Sequence, residues 1–209
     1  MASKSNRNLK AYHHGDLRNA LIDSALVIIA EEGYESLSLR KVAEKADVSP
    51  GAPYRHFKNS ESLISAVAEV GFYKLNDIME KIIRKRPRNY LWQFRECGLS
   101  YVEFSLDNSE LFRIMYGNMI KNHSSHEGLK KAGEQLYFTF EGIIKNAQTE
   151  NLLRAGNTRE IALSAWSLVH GISNLIVEKQ LFFETWEIEN LRKMVKRQLS
   201  LLYNGIQPA

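Results

Sequence analysis

The chain has 209 residues, of which 44% are hydrophobic and 25% are charged. This balance is typical of a folded globular protein of one or two domains and excludes a wholly disordered chain. The chain has 1 cysteine, so a disulfide framework within the chain is excluded. The polar first 15 residues do not resemble a signal peptide, and we find no run of about 18 apolar residues. We therefore expect a cytoplasmic protein without a membrane-spanning helix.

The charge is distributed unevenly along the chain. The net charge is +4, and residues 1–90 carry all of it, with 15 basic and 11 acidic residues. Residues 91–209 carry 13 of each. A basic amino-terminal part beside a neutral remainder is compatible with binding to a polyanion, although an excess of this size can also have no function.

The first part of the chain predicts a flexible basic arm followed by four helices. Apolar residues recur with helical spacing, and Gly33 suits the carboxyl end of the first helix. Ser38 and Ser49 suit the amino-terminal caps of two short helices, and Pro87 must end the fourth. The arm covers residues 1–15, and the helices cover 16–32, 38–46, 49–57 and 60–86.

Five further helices are predicted after Pro87, and no segment alternates with the period of a strand. Asn157, with Glu160 three residues later, suits the start of one of them as a capping box. The five helices span 89–106, 109–117, 126–150, 158–181 and 186–204. The sequence thus predicts an all-α protein of about nine helices. Its parts are a three-helix domain over 16–60, a connecting helix over 61–86 and a helical bundle over 87–209.

The two short helices have the spacing of a helix-turn-helix motif, because only about two residues separate them. Gly51 and Ala52 are small enough to let the backbone approach another surface closely. No acidic residue lies between Val48 and Ser60, and several side chains there can donate to phosphate. These donors are Ser49, Tyr54, His56 and Lys58. The motif therefore predicts a surface that binds double-stranded DNA.

Residues 17–63 resemble the DNA-binding domain of TetR-type, or tetracycline-repressor-like, transcriptional regulators. The matching runs are GY at 33–34, SLRKVA at 38–43 and VSPGAPYRHFKN at 48–59, followed by SESL at 60–63. The HHGDLR stretch at 13–18 and the AWSLVHG stretch resemble one subgroup, named for a Trp-His-Gly motif that Trp166, His170 and Gly171 match. Pro53 departs from the wider family, in which Leu, Ile or Val is commoner, and it removes one backbone hydrogen bond from the third helix.

The resemblance implies a role for each residue of the motif. Arg55 is the candidate for contact with a base or a phosphate, since arginine can read guanine with two hydrogen bonds. Phe57 is expected in the core, while Tyr54 could also be partly core and His56 could be a solvated surface residue. The candidate DNA-binding residues are Ser38, Arg40, Ser49, Gly51, Ala52, Tyr54, Arg55, His56 and Lys58.

The aromatic residues beyond residue 90 fall on predicted helices. Such residues usually form a core, yet five helices could also enclose an apolar pocket with a few polar anchors. The resemblance implies a small effector, apolar or aromatic, in this pocket. The candidate effector-binding residues are Trp92, Tyr101, Phe112, Met115, Tyr116, Tyr137, Trp166, His170 and Asn174. No cofactor and no metal site are expected, because His13 and His14 are adjacent and have no ligand cluster near them.

The last two helices are apolar on more than one face, so each needs a second partner besides its own core. A second subunit related by two-fold symmetry would provide it, and the candidate interface residues are Leu168, Ile172, Leu175, Leu191, Met194, Val195, Gln198 and Leu202. Such a homodimer would place its recognition helices about 34–36 Å apart, on successive major grooves.

The resemblance implies a repressor that leaves its operator when a small effector binds, with the helix over 60–86 as the lever. The alternative within the same fold is a DNA-binding regulator or architectural protein without an effector. An enzyme is not expected, because no pair of nucleophile and base and no metal-ligand spacing is evident.

Overall fold

The computed structural model describes residues 14–181, 188–206 and 208, and these contain eight α-helices and no strand. The prediction of an all-α fold is thus confirmed, whereas nearly all of the predicted arm over 1–15 lies outside the described residues. The helices are α1 His14–Glu32, α2 Leu39–Lys45, α3 Ser60–Lys85, α4 Tyr90–Asp107, α5 Ser109–Tyr116, α6 Glu127–Thr149, α7 Thr158–Val177 and α8 Ile188–Ile206. Short 3-10 helices lie at Tyr34–Ser36, Pro53–Arg55 and His123–Ser125.

The chain divides into two compact units, Met1–Leu63 and Ile64–Ala209. The boundary falls four residues into α3, so most of this helix belongs to the second unit. The predicted connecting segment over 61–86 is therefore largely part of the bundle that follows it.

The first unit has a small apolar core between α1 and α2. The side chains that these two helices bury recur at helical spacing: Leu21, Ile22, Ala25, Ile28, Ile29, Leu39, Val42 and Ala43. Phe57 closes the core, and the Arg18 guanidinium lies 5.7 Å from the centre of its ring. An ion pair between Lys41 and Glu32 also joins α2 to α1.

Three helices are followed, two residues after their last residue, by a non-glycine residue in the left-handed region. These residues are Asp47, Asn151 and Lys179, with φ of 54°, 53° and 54°. After α7, Gln180 N donates to the Leu175 carbonyl oxygen at 2.7 Å, which satisfies a carbonyl that the helix leaves unpaired. This turn ends α7 at residue 177 instead of the predicted 181. The sequence does not reveal this end of α7, because Lys179 occupies a position at which glycine is the usual residue.

In the second unit, α4 contacts α5, α6, α7 and α8. The helix α7 is long and apolar enough to cross a membrane by length and composition, and 44% of its most apolar stretch is buried inside the fold. A core helix has the same composition, so this property does not indicate a membrane.

The amino-terminal end of α7 is capped as predicted, with one difference. The side chain of Asn157 accepts a hydrogen bond from Arg159 N at 3.0 Å. The Glu160 carboxylate accepts from the Asn157 side-chain amide at 3.3 Å, whereas in a capping box it would accept from the backbone N–H of the capping residue.

Candidate functional site

The segment over 49–57 is a tight turn around a 3-10 helix and not the predicted α-helix. The Ser49 carbonyl oxygen accepts from Ala52 N at 2.9 Å, and the Ala52 carbonyl oxygen accepts from Arg55 N at 3.2 Å. Pro53 has no N–H, so the α-helical bond from residue 53 to the Ser49 carbonyl cannot form. The chain adopts the tighter i to i+3 pattern instead. We call residues 49–58 the recognition turn.

Most of the candidate DNA-binding residues lie at the surface. Ser38 and His56 are half-buried, and the exposed ones are Arg40, Ser49, Gly51, Tyr54, Arg55 and Lys58. Tyr54 is 60% exposed, which excludes the alternative that it is partly core, whereas Phe57 lies in the core as expected. The Ala52 side chain is buried beside the buried Pro53, so at this position only the backbone could come close to another surface.

Ser38 has a structural role at the start of α2. Its Oγ accepts a hydrogen bond from Lys41 N at 3.3 Å, as an amino-terminal cap does. The hydroxyl hydrogen does not take part in this bond, so Ser38 can still donate to a phosphate.

The basic side chains of the first unit fall into two groups. Lys45 is neutralised locally, because its Nζ lies 2.7 Å from a carboxylate oxygen of Glu31. Arg40, Arg55 and Lys58 are exposed and form no ion pair with any residue that the structure describes. These three cations can therefore meet phosphate groups.

The second unit encloses a cavity of about 340 Å³, which lies in the range of small-molecule sites. Five helices, α3 to α7, contribute to its wall, and aromatic side chains predominate. The lining residues are Phe72, Met79, Cys97, Gly98, Tyr101, Met115, Tyr116, His123, Gly133, Leu136, Tyr137, Phe140, Trp166 and Val169.

The cavity brings together five of the candidate effector-binding residues. They are Tyr101, Met115, Tyr116, Tyr137 and Trp166. The other lining residues, including Phe72 and Met79 on α3, were not predicted. Helical spacing could have found several of them, since Cys97 and Gly98 stand one turn before Tyr101.

Trp92 does not line the cavity, which corrects its assignment to the effector site. Instead, the Arg86 guanidinium lies 4.7 Å from the centre of its ring. Nine residues separate Trp92 from Tyr101, which at about 100° per residue places them on opposite faces of α4.

The same correction applies to three further candidates, since none of them lines the cavity: Phe112, His170 and Asn174. Phe112 is buried behind the wall, with its ring centre 5.0 Å from that of Tyr116.

A chain of hydrogen bonds leads from the cavity wall into α7. The Tyr101 hydroxyl lies 2.9 Å from His170 Nδ1 and accepts from Trp166 Nε1 at 3.3 Å. His170 Nε2 in turn lies 2.9 Å from the Asn174 side-chain nitrogen. His170 and Asn174 therefore support the wall from behind by holding Tyr101 in place.

The titratable groups of this chain of bonds are held in their neutral forms. Burial raises the pKa of Tyr101 to about 12 and lowers the pKa of His170. Burial also raises the pKa of Tyr116 well above its usual value, and the neighbouring Tyr101 raises it further. Near pH 7 the wall thus presents neutral phenols, and the imidazole of His170 behind them is neutral.

The candidate interface residues separate into two groups. Ile172, Leu191, Met194 and Val195 are buried within the single chain, so they belong largely to its own core. This corrects their assignment to a dimer interface. Leu168, Gln198 and Leu202 are half-buried, and Leu175 is 39% exposed. Two further exposed leucines on these helices, Leu163 and Leu201, were missed.

No cluster of three or more His, Cys, Asp or Glu side chains that could hold a metal ion occurs in the described part of the chain. The side chains of His13 and His14 lie outside that part. Cys97 is a buried free cysteine, and burial raises the pKa of its thiol to about 12.

Two family models match the chain. One, described as bacterial regulatory proteins of the tetR family, matches residues 21–67. The other, described as the tetracyclin repressor-like C-terminal domain, matches residues 94–202, which is more than half of the chain. The chain belongs to the tetR family. This result confirms the predicted family, whose members are DNA-binding transcriptional regulators and not enzymes.

Several known proteins are similar in sequence over half of this chain or more. The TetC protein of transposon Tn10 from Escherichia coli is 31% identical over 108 residues, which is 50% of this chain and 52% of TetC. The uncharacterized regulator YvkB of Bacillus subtilis is 30% identical over 72% of this chain and 78% of YvkB. The chain thus spans about half the length of TetC, and the alignment with the B. subtilis regulator YerO covers 56% of that protein.

Among solved structures, a protein of unknown function from Rhodococcus sp. RHA1 has the same fold, with a TM-score of 0.79 and 29% identity. The match covers 94% of this chain and 98% of that one. PfmR of Thermus thermophilus, a tetR family regulator, shares the fold with a TM-score of 0.64 and 13% identity, over 88% of this chain and 97% of that one.

Proposed function

We propose that this protein is a transcriptional repressor that binds operator DNA and releases it when a small effector occupies the cavity. One observation carries the proposal. Phe72 and Met79 of α3 line the cavity, and α3 begins at Ser60, directly after the recognition turn. A ligand that moves α3 would therefore act on the helix that continues from the DNA-binding residues.

The DNA contacts are assigned to the exposed donors of the recognition turn and of α2. Arg40 and Lys58 are free of ion pairs with described residues and would neutralise phosphates, with Tyr54 donating its hydroxyl beside them. Arg55 is equally free and is the candidate for reading a guanine. Ser49 and Gly51 are exposed and small, so the backbone can come close to the groove.

Release by the effector requires two states of the protein with different affinities for it. The effector can weaken DNA binding only as far as its own affinity differs between the DNA-competent and the released state. Filling the space between α3 and the aromatic wall is the step that would favour the released state.

The DNA-binding form is proposed to be a homodimer. Leu163, Leu175 and Leu201 are exposed on α7 and α8, and a second copy would cover them. Two-fold symmetry would then present two recognition turns to one near-palindromic operator. A member of this family acts on DNA, so we place the protein in the cytoplasm.

We also assign the chain to the subgroup with the Trp-His-Gly motif. What supports this is the use of the motif here, since Trp166 and His170 both hydrogen-bond to the Tyr101 hydroxyl in the cavity wall.

The test starts from duplex DNA of random sequence, from which the purified protein selects its operator. We expect a near-palindromic site that binds one dimer, and Arg55→Ala should relax the choice of one base in each half-site. A compound that fills the cavity should then dissociate the complex. Recovery of no preferred sequence would reject an operator-binding repressor. Persistence of the complex at a saturated cavity would favour the alternative, a regulator without an effector.

A further inference from the structure

The cavity wall contains no acidic side chain and no lysine or arginine. Glu141, whose charge acts on Tyr137, lies outside the lining and pairs with Arg159 at 3.3 Å. A ligand with a buried carboxylate or ammonium group would therefore find no carboxylate, ammonium or guanidinium partner in the wall, and an unpaired buried charge is costly.

The polar groups of the wall are largely occupied by one another. Tyr101 bonds to His170 and Trp166, and His123 Nε2 lies 3.1 Å from the Met115 carbonyl oxygen. The remaining lining is mostly aromatic, aliphatic or sulfur-bearing. A ligand thus gains mainly from contact between apolar surfaces and from stacking on aromatic rings.

One buried hydroxyl of the wall lacks a hydrogen bond of ordinary geometry. The Tyr116 hydroxyl forms none with the described residues, although the neighbouring Tyr101 is close enough to raise its pKa. A neutral oxygen on a ligand can accept from it, but a single neutral donor does not replace the hydration of a carboxylate. This hydroxyl therefore allows one polar atom on a ligand and does not create a site for an anion.

The volume sets the size of the ligand. An apolar protein cavity of about 150 Å³ holds one benzene molecule. The cavity here, at about 340 Å³, is a little more than twice as large. It therefore fits a compound of about two aromatic rings.

From the absence of acidic, lysine and arginine side chains in the wall, the paired polar groups and the volume, we infer that the cavity binds a neutral, largely apolar compound with the size of two fused aromatic rings. This inference rests on the proposed function, in which the cavity is the effector site. It excludes carboxylate and ammonium compounds of the same size as effectors.

The helix α6 offers a way to block the cavity without disturbing its other walls. Gly133, Leu136 and Phe140 lie along one face of α6 and line the cavity. A Cβ built on Gly133 meets no atom within 4 Å, so Gly133→Leu should place its side chain into the open space. Gly142 provides a matched control, because it lies on the same helix, is equally unobstructed and does not line the cavity.

The experiment measures binding of naphthalene to the full chain at pH 8 by calorimetry, without DNA. The comparison compounds are 2-naphthoate and 2-naphthylmethylammonium, which carry opposite charges on the same rings. We expect naphthalene to bind at least about tenfold more tightly than either ion. Gly133→Leu should lose at least about tenfold in affinity for naphthalene, and Gly142→Leu should bind it like the wild type.

Three outcomes would overturn the inference: no binding of naphthalene, binding of either ion within tenfold of naphthalene, or an unchanged affinity in a folded Gly133→Leu variant. Should Gly133→Leu fail to fold, Gly133→Val serves instead. A parallel assay of DNA release separates the two proposals. Naphthalene that binds the cavity and leaves the DNA complex intact supports the ligand class and rejects effector release. Release of DNA by a charged compound alone supports effector release and rejects the ligand class.

Discussion

Replacing Lys58 by alanine tests whether unpaired cations mark the DNA-contacting surface. Lys58 is exposed at the end of the recognition turn and forms no ion pair with described residues. On the proposed dimer, Lys58→Ala removes one phosphate contact from each subunit. Each lost contact makes the dependence of log K on log salt concentration less steep by about 0.9.

The expected change is large enough to measure. Two lost contacts reduce the slope by about 1.8, so the effect of the substitution should differ about 12-fold between 50 mM and 200 mM salt. The variant should be much weaker than the wild type at low salt and approach it at high salt. Fluorescence anisotropy with labelled operator DNA over a salt series gives both slopes.

Lys45→Ala is the matched control, because it removes the same charge from the same unit. Lys45 is already paired with Glu31 at 2.7 Å, so we expect its removal to leave the salt slope unchanged within about 0.3. An unchanged slope in Lys58→Ala would remove Lys58 from the phosphate contacts. Equal changes in both variants would refute the idea that local pairing separates structural cations from DNA-binding ones.

Two further predictions concern the bundle. Lys179 occupies the left-handed region with φ of 54°, so Lys179→Gly should raise the free energy of unfolding in urea by about 1 kcal/mol, whereas a decrease would show that the lysine side chain stabilises this turn. Burial lowers the pKa of His170 in the folded protein, so the unfolded chain takes up a proton first as the pH falls. Stability should therefore decline below about pH 6.5, the ordinary histidine pKa, and His170→Gln should flatten this decline in a series of melts at different pH. A parallel decline in the variant would show that other groups cause it.

The boundaries of most helices followed from local rules. Caps such as Ser38 and Asn157 act on the backbone next to them, so their effect can be predicted from neighbouring residues alone. The end of α7 was misjudged because Lys179 takes a conformation that glycine usually occupies. The recognition turn differs from the predicted α-helix because of Pro53, which is visible in the sequence. Its missing N–H changes the hydrogen bonding of the whole turn and not of one bond alone.

The cavity was predicted as a class of site and only partly as a set of residues. Tyr101 and Trp166 were found because they are aromatic and lie on helices, which is a property of the sequence. Trp92 has the same property and lies outside, because the rotation of α4 about its axis decides which residues face inward. The side chains of Gly133 and Cys97 do not indicate a binding residue, and these residues line the cavity only because of where the fold places them.

The sequence by itself determined the all-α fold and the family, because periodicity, capping residues and motif spacing are local properties of the chain. The net charge of +4, confined to the first 90 residues, is compatible with DNA binding but does not establish it. Only the tertiary structure separated Lys45, which is paired, from Lys58, which is not. Only it showed that no acidic, lysine or arginine side chain lines the cavity, since both properties depend on which side chains meet across different helices.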